Sequence, residues 1–211
     1  HKEAALAMPG VVGVYTAEDI PGTNLIGSII EDEEVLASKE VKFFGQPIAI
    51  VVAETHRQAQ AAAKLVDAEY EDLPLVLSIE EAIAAGDYLC PDHELRLGDY
   101  EKVFKETPAE RIISGEVRVG GQEHFYIEPQ ACTVWPSNDK YVVHTTIQNP
   151  TKAQYSVAKV IGKPMHMVES SMVRIGGGFG GKQDRPQFLA AATAIAAYNA
   201  GEPVRIVLER D

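Results

Sequence analysis

Apolar and polar positions over the first ninety residues follow two rhythms, one of strands and one of helices. AALAMPGVVGVYTAEDI closes a short helix at Pro9-Gly10 and resumes as a strand over 11–16, since Pro and Gly punctuate and β-branched residues follow. A turn-rich stretch with Pro21-Gly22 comes next. KFFGQPIAIVVAET carries a continuous apolar run at 48–53, the pattern of a strand buried on both faces. Thr55 is placed to N-cap the helix HRQAQAAAKLVDA, where Ala59, Ala62, Ala63 and Val66 share one side. AEYEDLPLVLS predicts another strand, interrupted at Pro74, and IEEAIAAGDY a short helix stopped by Gly86. Residues 1–88 thus read as one small α/β unit.

Residues 89–110 have fewer periodic hydrophobics and include Pro91, Gly98 and Pro108, so they read as a connector. Beyond them RIISGEVRVGGQEHFYIEPQACTVWP alternates like a strand, with Gly120-Gly121 marking a bulge or a close backbone approach. KYVVHTTIQNP predicts a further strand ending at Asn149-Pro150, then a helix over 151–160 stopped by Gly162. The strand MVESSMVRI, a glycine-rich loop, a helix over 186–199 terminated by Gly201 and Pro203, and the strand VRIVLER follow as a strand–helix–strand unit.

Composition agrees with a folded chain: 211 residues, 45% hydrophobic and 24% charged, without an internal repeat or low-complexity tract. No apolar run approaches the roughly 20 residues that cross a bilayer, so no membrane partner is expected. The opening residues His1, Lys2 and Glu3 are neither an initiator methionine nor a signal peptide, as expected of a piece cut from a longer chain. Cys90 and Cys132 lie far apart and form no CxxC, which argues against a disulfide framework or a cysteine metal site and for a cytoplasmic location. The net charge of −12 is uneven: residues 1–110 hold 22 Asp/Glu against 8 Lys/Arg, and residues 111–211 hold 9 against 11. Such acidity speaks against nucleic acid and leaves the second part better suited to an anion.

The loop RIGGGFGGKQDRP carries the first candidate chemistry. Gly176, Gly178 and Gly181 satisfy a dinucleotide fingerprint between a predicted strand and helix, with Glu209 or Asp211 as the acidic partner. The position late in the chain and the interposed Lys182, Asp184 and Arg185 weaken that dehydrogenase reading. A Walker loop is excluded, because Gln183 follows Lys182 where Ser or Thr is required. Consecutive glycines can in any case present backbone N–H groups to an anion or oxo group. The second stretch is VGGQEHFYIEPQA. His124 and Glu128 stand at i, i+4, but a strand would hold them too far apart for joint metal ligation, so a core histidine bonded to backbone is expected. Gln122 beside the glycines offers an uncharged amide that can donate to an oxo group or water without ligating a metal.

GGQEHFYIE and RIGGGFGGK, in this order and about fifty residues apart, resemble the molybdenum-hydroxylase family of xanthine dehydrogenase/oxidase and aldehyde oxidase. The resemblance covers nearly the whole chain: PGVVGVYTAEDIPGTN, GQPIAIVVAET, AEYEDLP and SIEEAI are similar to its α/β hammerhead, TTIQNP and PVRIVLERD to the first part of its molybdopterin-binding region. It implies a mixed α+β and α/β fold: a hammerhead-like domain at 1–88, the connector at 89–110, and the N-terminal part of a molybdopterin-binding domain at 111–211. By resemblance Gln122 matches the glutamine that hydrogen-bonds the molybdenum oxo group. Phe179 and Gly180 match loop residues beside the molybdenum centre. Neither Gln122 nor Phe179 is implied to be a direct ligand, which in this family the pterin dithiolene supplies. Gln183 matches a substrate-contacting glutamate of the xanthine-oxidising members, and a neutral amide there cannot supply a carboxylate.

The implied activity is hydroxylation of a purine-like heterocycle or an aldehyde with water-derived oxygen. Electrons leave through [2Fe-2S] clusters and FAD to NAD or oxygen, and the parent is expected to be a homodimer. The iron–sulfur and FAD domains are expected before His1 and the base glutamate beyond Asp211, so the chain alone is expected to be inactive. A non-enzymatic interaction module stays open beside the dehydrogenase alternative.

Overall fold

The computed structural model describes residues 1–210. In chain order its regular elements are α1 (Glu3–Leu6), β1 (Val11–Tyr15), β2 (Leu25–Ile26), β3 (Glu33–Glu34), β4 (Ile50–Ala53), α2 (His56–Ala63), α3 (Ile79–Ala85) and α4 (Tyr100–Glu106). There follow β5 (Ala131–Ser137), β6 (Lys140–Thr145), α5 (Pro150–Val160), β7 (Val168–Ser171), α6 (Pro186–Ala200) and β8 (Val204–Val207). They fall into two compact units, one formed by His1–Ala68 with the chain from Glu123 onward, the other by Glu69–Gln122.

In the first unit β1 and β4 pair antiparallel, and β2 and β3 form a short antiparallel ladder. The apolar run around β4 is explained by two cores: Ile50 and Val52 enter the main one, while Val51 packs on a smaller cluster of Ala5, Val14 and Ala62. Thr55 starts α2, its hydroxyl accepting from the Gln58 amide at 3.3 Å. The main sheet has the order β7-β6-β5-β8. β5 and β6 form a hairpin turned at Asn138, whose φ of 54° is the left-handed conformation such tight turns need. α5 connects β6 to β7, which pair in parallel, and β8 joins the far edge antiparallel to β5.

α6 is buried along most of its length, with Ala190, Ala191, Ala194, Ile195, Ala196 and Ala197 all without exposed surface, and it packs on α5 and β5. Small alanines let these elements approach closely, so enlarging one costs about 1–3 kcal/mol. Gly22 closes the end of α5: its amide donates to the Val160 carbonyl at 2.8 Å, and a Cβ there would lie 2.0 Å from the Lys159 carbonyl oxygen.

This sheet overturns the dinucleotide alternative. A dinucleotide fold needs its fingerprint between neighbouring parallel strands of a doubly wound sheet. Here the strands flanking the glycine loop and α6 stand at opposite edges, separated by β6 and β5.

In the second unit α3 starts at a reciprocal cap, Ser78 accepting from the Glu81 amide and Glu81 from the Ser78 amide, and ends at Gly86 with φ 65°. α4, capped by Asp99, lies inside the segment read as a connector. Two expectations need correction. The strand expected near Pro74 does not form, and the strand-like stretch is strand only from Ala131. Alternation dictates side-chain faces but supplies no ladder partner, and these segments pair with none among the described residues. Gly120 and Gly121 accordingly mark neither a bulge nor a close approach, as a Cβ at either would meet nothing within 4 Å.

Candidate functional site

The glycine loop leaves the sheet after β7 and enters α6 at Pro186. Its turns are internal: Gly181 N donates to Gly178 O at 2.8 Å and Gln183 N to Gly180 O at 3.1 Å. Gly177, Phe179 and Gly180 have φ of 94°, 52° and 97°. For Phe179 this left-handed conformation costs of order 1–3 kcal/mol, and its side chain nevertheless stays 76% exposed.

Two side chains grip the loop from below. The Glu128 carboxylate oxygen Oε2 accepts from Gly176 N and from Lys182 Nζ, both at 2.8 Å, while Glu128 N donates back to Gly176 O at 3.2 Å. Lys182 has no exposed surface, and its ammonium lies 4.6 Å from the centre of the Tyr126 ring. The Gln148 oxygen Oε1 accepts from Gly180 N at 3.1 Å and Lys182 N at 3.3 Å, and Gln148 N donates to Lys182 O at 2.8 Å. Burial raises the Glu128 pKa, but the Lys182 hydrogen bond, the Gly176 amide and the Lys182 charge together hold it below the ordinary carboxylate range.

The glycines are demanded by these neighbours. A Cβ would fall 2.5 Å from the Glu128 Cβ at Gly176, 2.7 Å from the Gln148 oxygen at Gly178 and 2.7 Å from the His124 ring at Gly181. With the amides of Gly176, Gly180 and Lys182 engaged below, those of Gly177, Gly178 and Phe179 donate no hydrogen bond among the described residues. A cleft of about 430 Å³ adjoins the loop, lined by His124, Tyr126, Gly180, Gly181, Arg185 and Phe188 among others. Its rim is charged: Arg185 is bidentate to Glu33, and Lys152 pairs with Asp184, holding that carboxyl below its usual range. A larger cleft of about 500 Å³ lies between β4 and β8 and does not touch the loop.

Residues 123–130, expected as strand, are irregular but anchored. Arg210 donates to the Tyr126 carbonyl and lies over the Phe125 ring, and the Gln130 amide donates to the Tyr126 hydroxyl at 2.9 Å. His124 is consequently an exposed ring against Gly181 and not a core histidine. Glu128 is committed to Lys182 and Gly176, and no group of three His, Cys, Asp or Glu side chains fit to hold a metal ion occurs among the described residues. Phe179 and Gly180 sit together in the loop, and Gln183 is exposed just after it. Gln122 is an exposed residue of the second unit. Glu209, weighed as a dinucleotide partner, instead accepts from Gln60 at 2.8 Å and pairs with His56 at 3.7 Å; Asp211 lies outside the described residues. The grips by Glu128 and Gln148 had no signal in the sequence, since the burial of Lys182 that demands a partner exists only in the fold.

Residues 85–211 match the Molybdopterin cofactor-binding domain, and residues 1–74 match the a/b hammerhead domain of aldehyde oxidase and xanthine dehydrogenase. The chain is 48% identical to a xanthine dehydrogenase of Dictyostelium discoideum and 46% identical to an aldehyde oxidase 2 of Cavia porcellus. Each match covers 98% of this chain and 15% of the relative. Among solved structures it superposes on quinoline 2-oxidoreductase of Pseudomonas putida 86 with a TM-score of 0.80 at 25% identity, covering 100% of this chain and 29% of that one. For the aldehyde oxidoreductase of Desulfovibrio gigas the TM-score is 0.79 at 27% identity, covering 97% of this chain and 24% of that one.

The chain therefore belongs to the xanthine dehydrogenase and aldehyde oxidase family of molybdenum hydroxylases, a hammerhead followed by the start of the cofactor-binding domain. It spans about 15% of the length of the curated relatives it matches. The loop fits a molybdenum–pterin group: it has amides left over at Gly177–Phe179 and no side chain on its glycines to block an acceptor-rich, anionic ligand.

Proposed function

We propose that the chain forms part of a larger molybdenum hydroxylase that hydroxylates a purine-like heterocycle of the xanthine or hypoxanthine type with water-derived oxygen. Residues 1–88 serve as its hammerhead, 89–110 as connector and 111–211 as the first part of the cofactor domain. The observation that carries this reading is the loop with its ungripped amides at Gly177, Gly178 and Phe179, in a segment matching a cofactor-binding domain. When bound, the molybdenum–pterin group supplies the two-electron oxidation. The chain's own residues would bind and orient: Gln122 would donate a hydrogen bond from its amide to the group, Phe179 and Gly180 would border it, and Gln183 would contact the substrate. In the parent enzyme, a homodimer in this reading, [2Fe-2S] clusters and FAD would supply the path for electrons to NAD or oxygen.

A second reading has a specific observation in its favour. Gln183 is a neutral amide that accepts and donates hydrogen bonds but shares no titratable proton with a heterocycle, which suits an aldehyde oxidase-type hydroxylase of aldehydes and N-heterocycles. Relatives of both names match at similar identity. Metal and pterin analysis of the full-length native protein, with turnover of xanthine and of an aromatic aldehyde, tests both. Molybdenum with xanthine turnover is expected; aldehyde turnover alone moves the assignment to the second reading, and matured protein without molybdenum sinks both.

A further inference from the structure

The strongest unassigned feature of the first unit is the way two side chains divide the amides of the glycine loop. The structure assigns Glu128 and Gln148 as positioning residues that hold the loop, so that the amides they leave over, those of Gly177 and Phe179 with the buried Gly178 between them, are kept as one fixed set of donors for the cofactor. This rests on the cofactor-binding reading for what the donors meet, but not for the grip itself.

Seven consecutive residues, Gly176 to Lys182, present seven N–H groups. Glu128 takes the first and Gln148 takes those of Gly180 and Lys182, while Gly181 is spent in the loop's own turn. The three left over are consecutive and include the strained Phe179. A glycine-rich loop without such anchors would sample many conformations, because glycine restricts φ and ψ least. It would then present its donors together only for a fraction of the time. Preorganised donors avoid that ordering cost when the ligand arrives.

Lys182 makes the Glu128 grip secure. Its ammonium is buried and shares Oε2 of the carboxylate with Gly176, so one oxygen ties the first residue of the loop to the last. Breaking that bond strands a buried positive charge as well as an amide. The Gln148 grip has no charge at stake: it is an exposed side chain whose amide oxygen bridges Gly180 and Lys182. Neither role follows from contact with substrate; both act through the loop backbone.

The test uses the full-length holoenzyme, with Glu128→Ala and Gln148→Ala compared against wild type by hydrogen exchange of the peptide spanning 174–183, by molybdenum per protein, and by the kcat and KM of the metal-loaded fraction. Each variant is expected to speed exchange of that peptide by about tenfold or more, with exchange in α6 unchanged, and to lower molybdenum retention. In the metal-loaded fraction kcat should fall by about tenfold while KM moves little, as for a misplaced rather than missing contact. Wild-type exchange and molybdenum content in both variants overturn the inference. If Glu128→Ala also exposes α6, Gln148→Ala decides alone, since truncating an exposed side chain does not threaten the fold. A wild-type enzyme without molybdenum would refute the cofactor reading, and exchange in the variants would still judge the grip.

Discussion

Lys182 is the residue on which the local electrostatics turn. A fully buried ammonium is tolerated only with a close partner, and Glu128 provides one at 2.8 Å with the Tyr126 ring beside it. The linkage follows from the direction of the Glu128 shift. Its carboxyl titrates lower in the folded protein than in the unfolded chain, so its stabilising contribution is complete above the ordinary carboxylate range and is lost as pH falls through the lowered value. Glu128→Gln should therefore melt below wild type at neutral pH, with the gap narrowing as the solution is acidified below that range. Melting temperatures of both proteins across an acid series check this, and a gap that stays constant would contradict it. Cys132 shows the opposite net shift: with no charged partner to offset it, desolvation pushes its thiol up to about 12, leaving an inert core residue.

Helix starts are the most legible elements, because a cap is satisfied within one turn. Asn149, read from the sequence only as the end of a strand, accepts from the Lys152 amide at 3.3 Å, and Pro150 occupies the first helical position of α5. Asn149→Ala should cost about 1 kcal/mol and Asn149→Gly only a few tenths, read from denaturant midpoints. Equal losses would mean that the side chain caps nothing. Strands are less legible. Leu73, Leu75 and Leu77 alternate as a strand should, yet they are 53%, 79% and 82% exposed and pair with nothing among the described residues. α4 was missed for the reverse reason: seven residues give too few turns for periodicity to stand out, and only Asp99 as a cap announces it.

At the scale of the molecule the two units differ in what holds them. The first has a continuous core from Ile26 through Ile195 to Val204, whereas no residue of 69–122 is buried. In the chain by itself, amides of 69–122 should exchange at least about a hundredfold faster than those of α6, and uniform protection would refute that division. The compact grouping changes after Ala68, inside the stretch of residues 1–88 read from the sequence as one unit. What the amino-acid sequence determined by itself was local or carried by whole motifs: the cap Thr55, the stops at Gly86, Gly162 and Gly201, and a family resemblance that the domain matches bear out. Tertiary structure alone decided the strand order β7-β6-β5-β8 and the grips on the loop, where Glu128 reaches Lys182 across 54 positions and Gln148 reaches Gly180 across 32. The physical reason is the range of the bonds: a cap finds its partner within four residues, whereas a ladder or a buried ion pair exists only once distant segments have met.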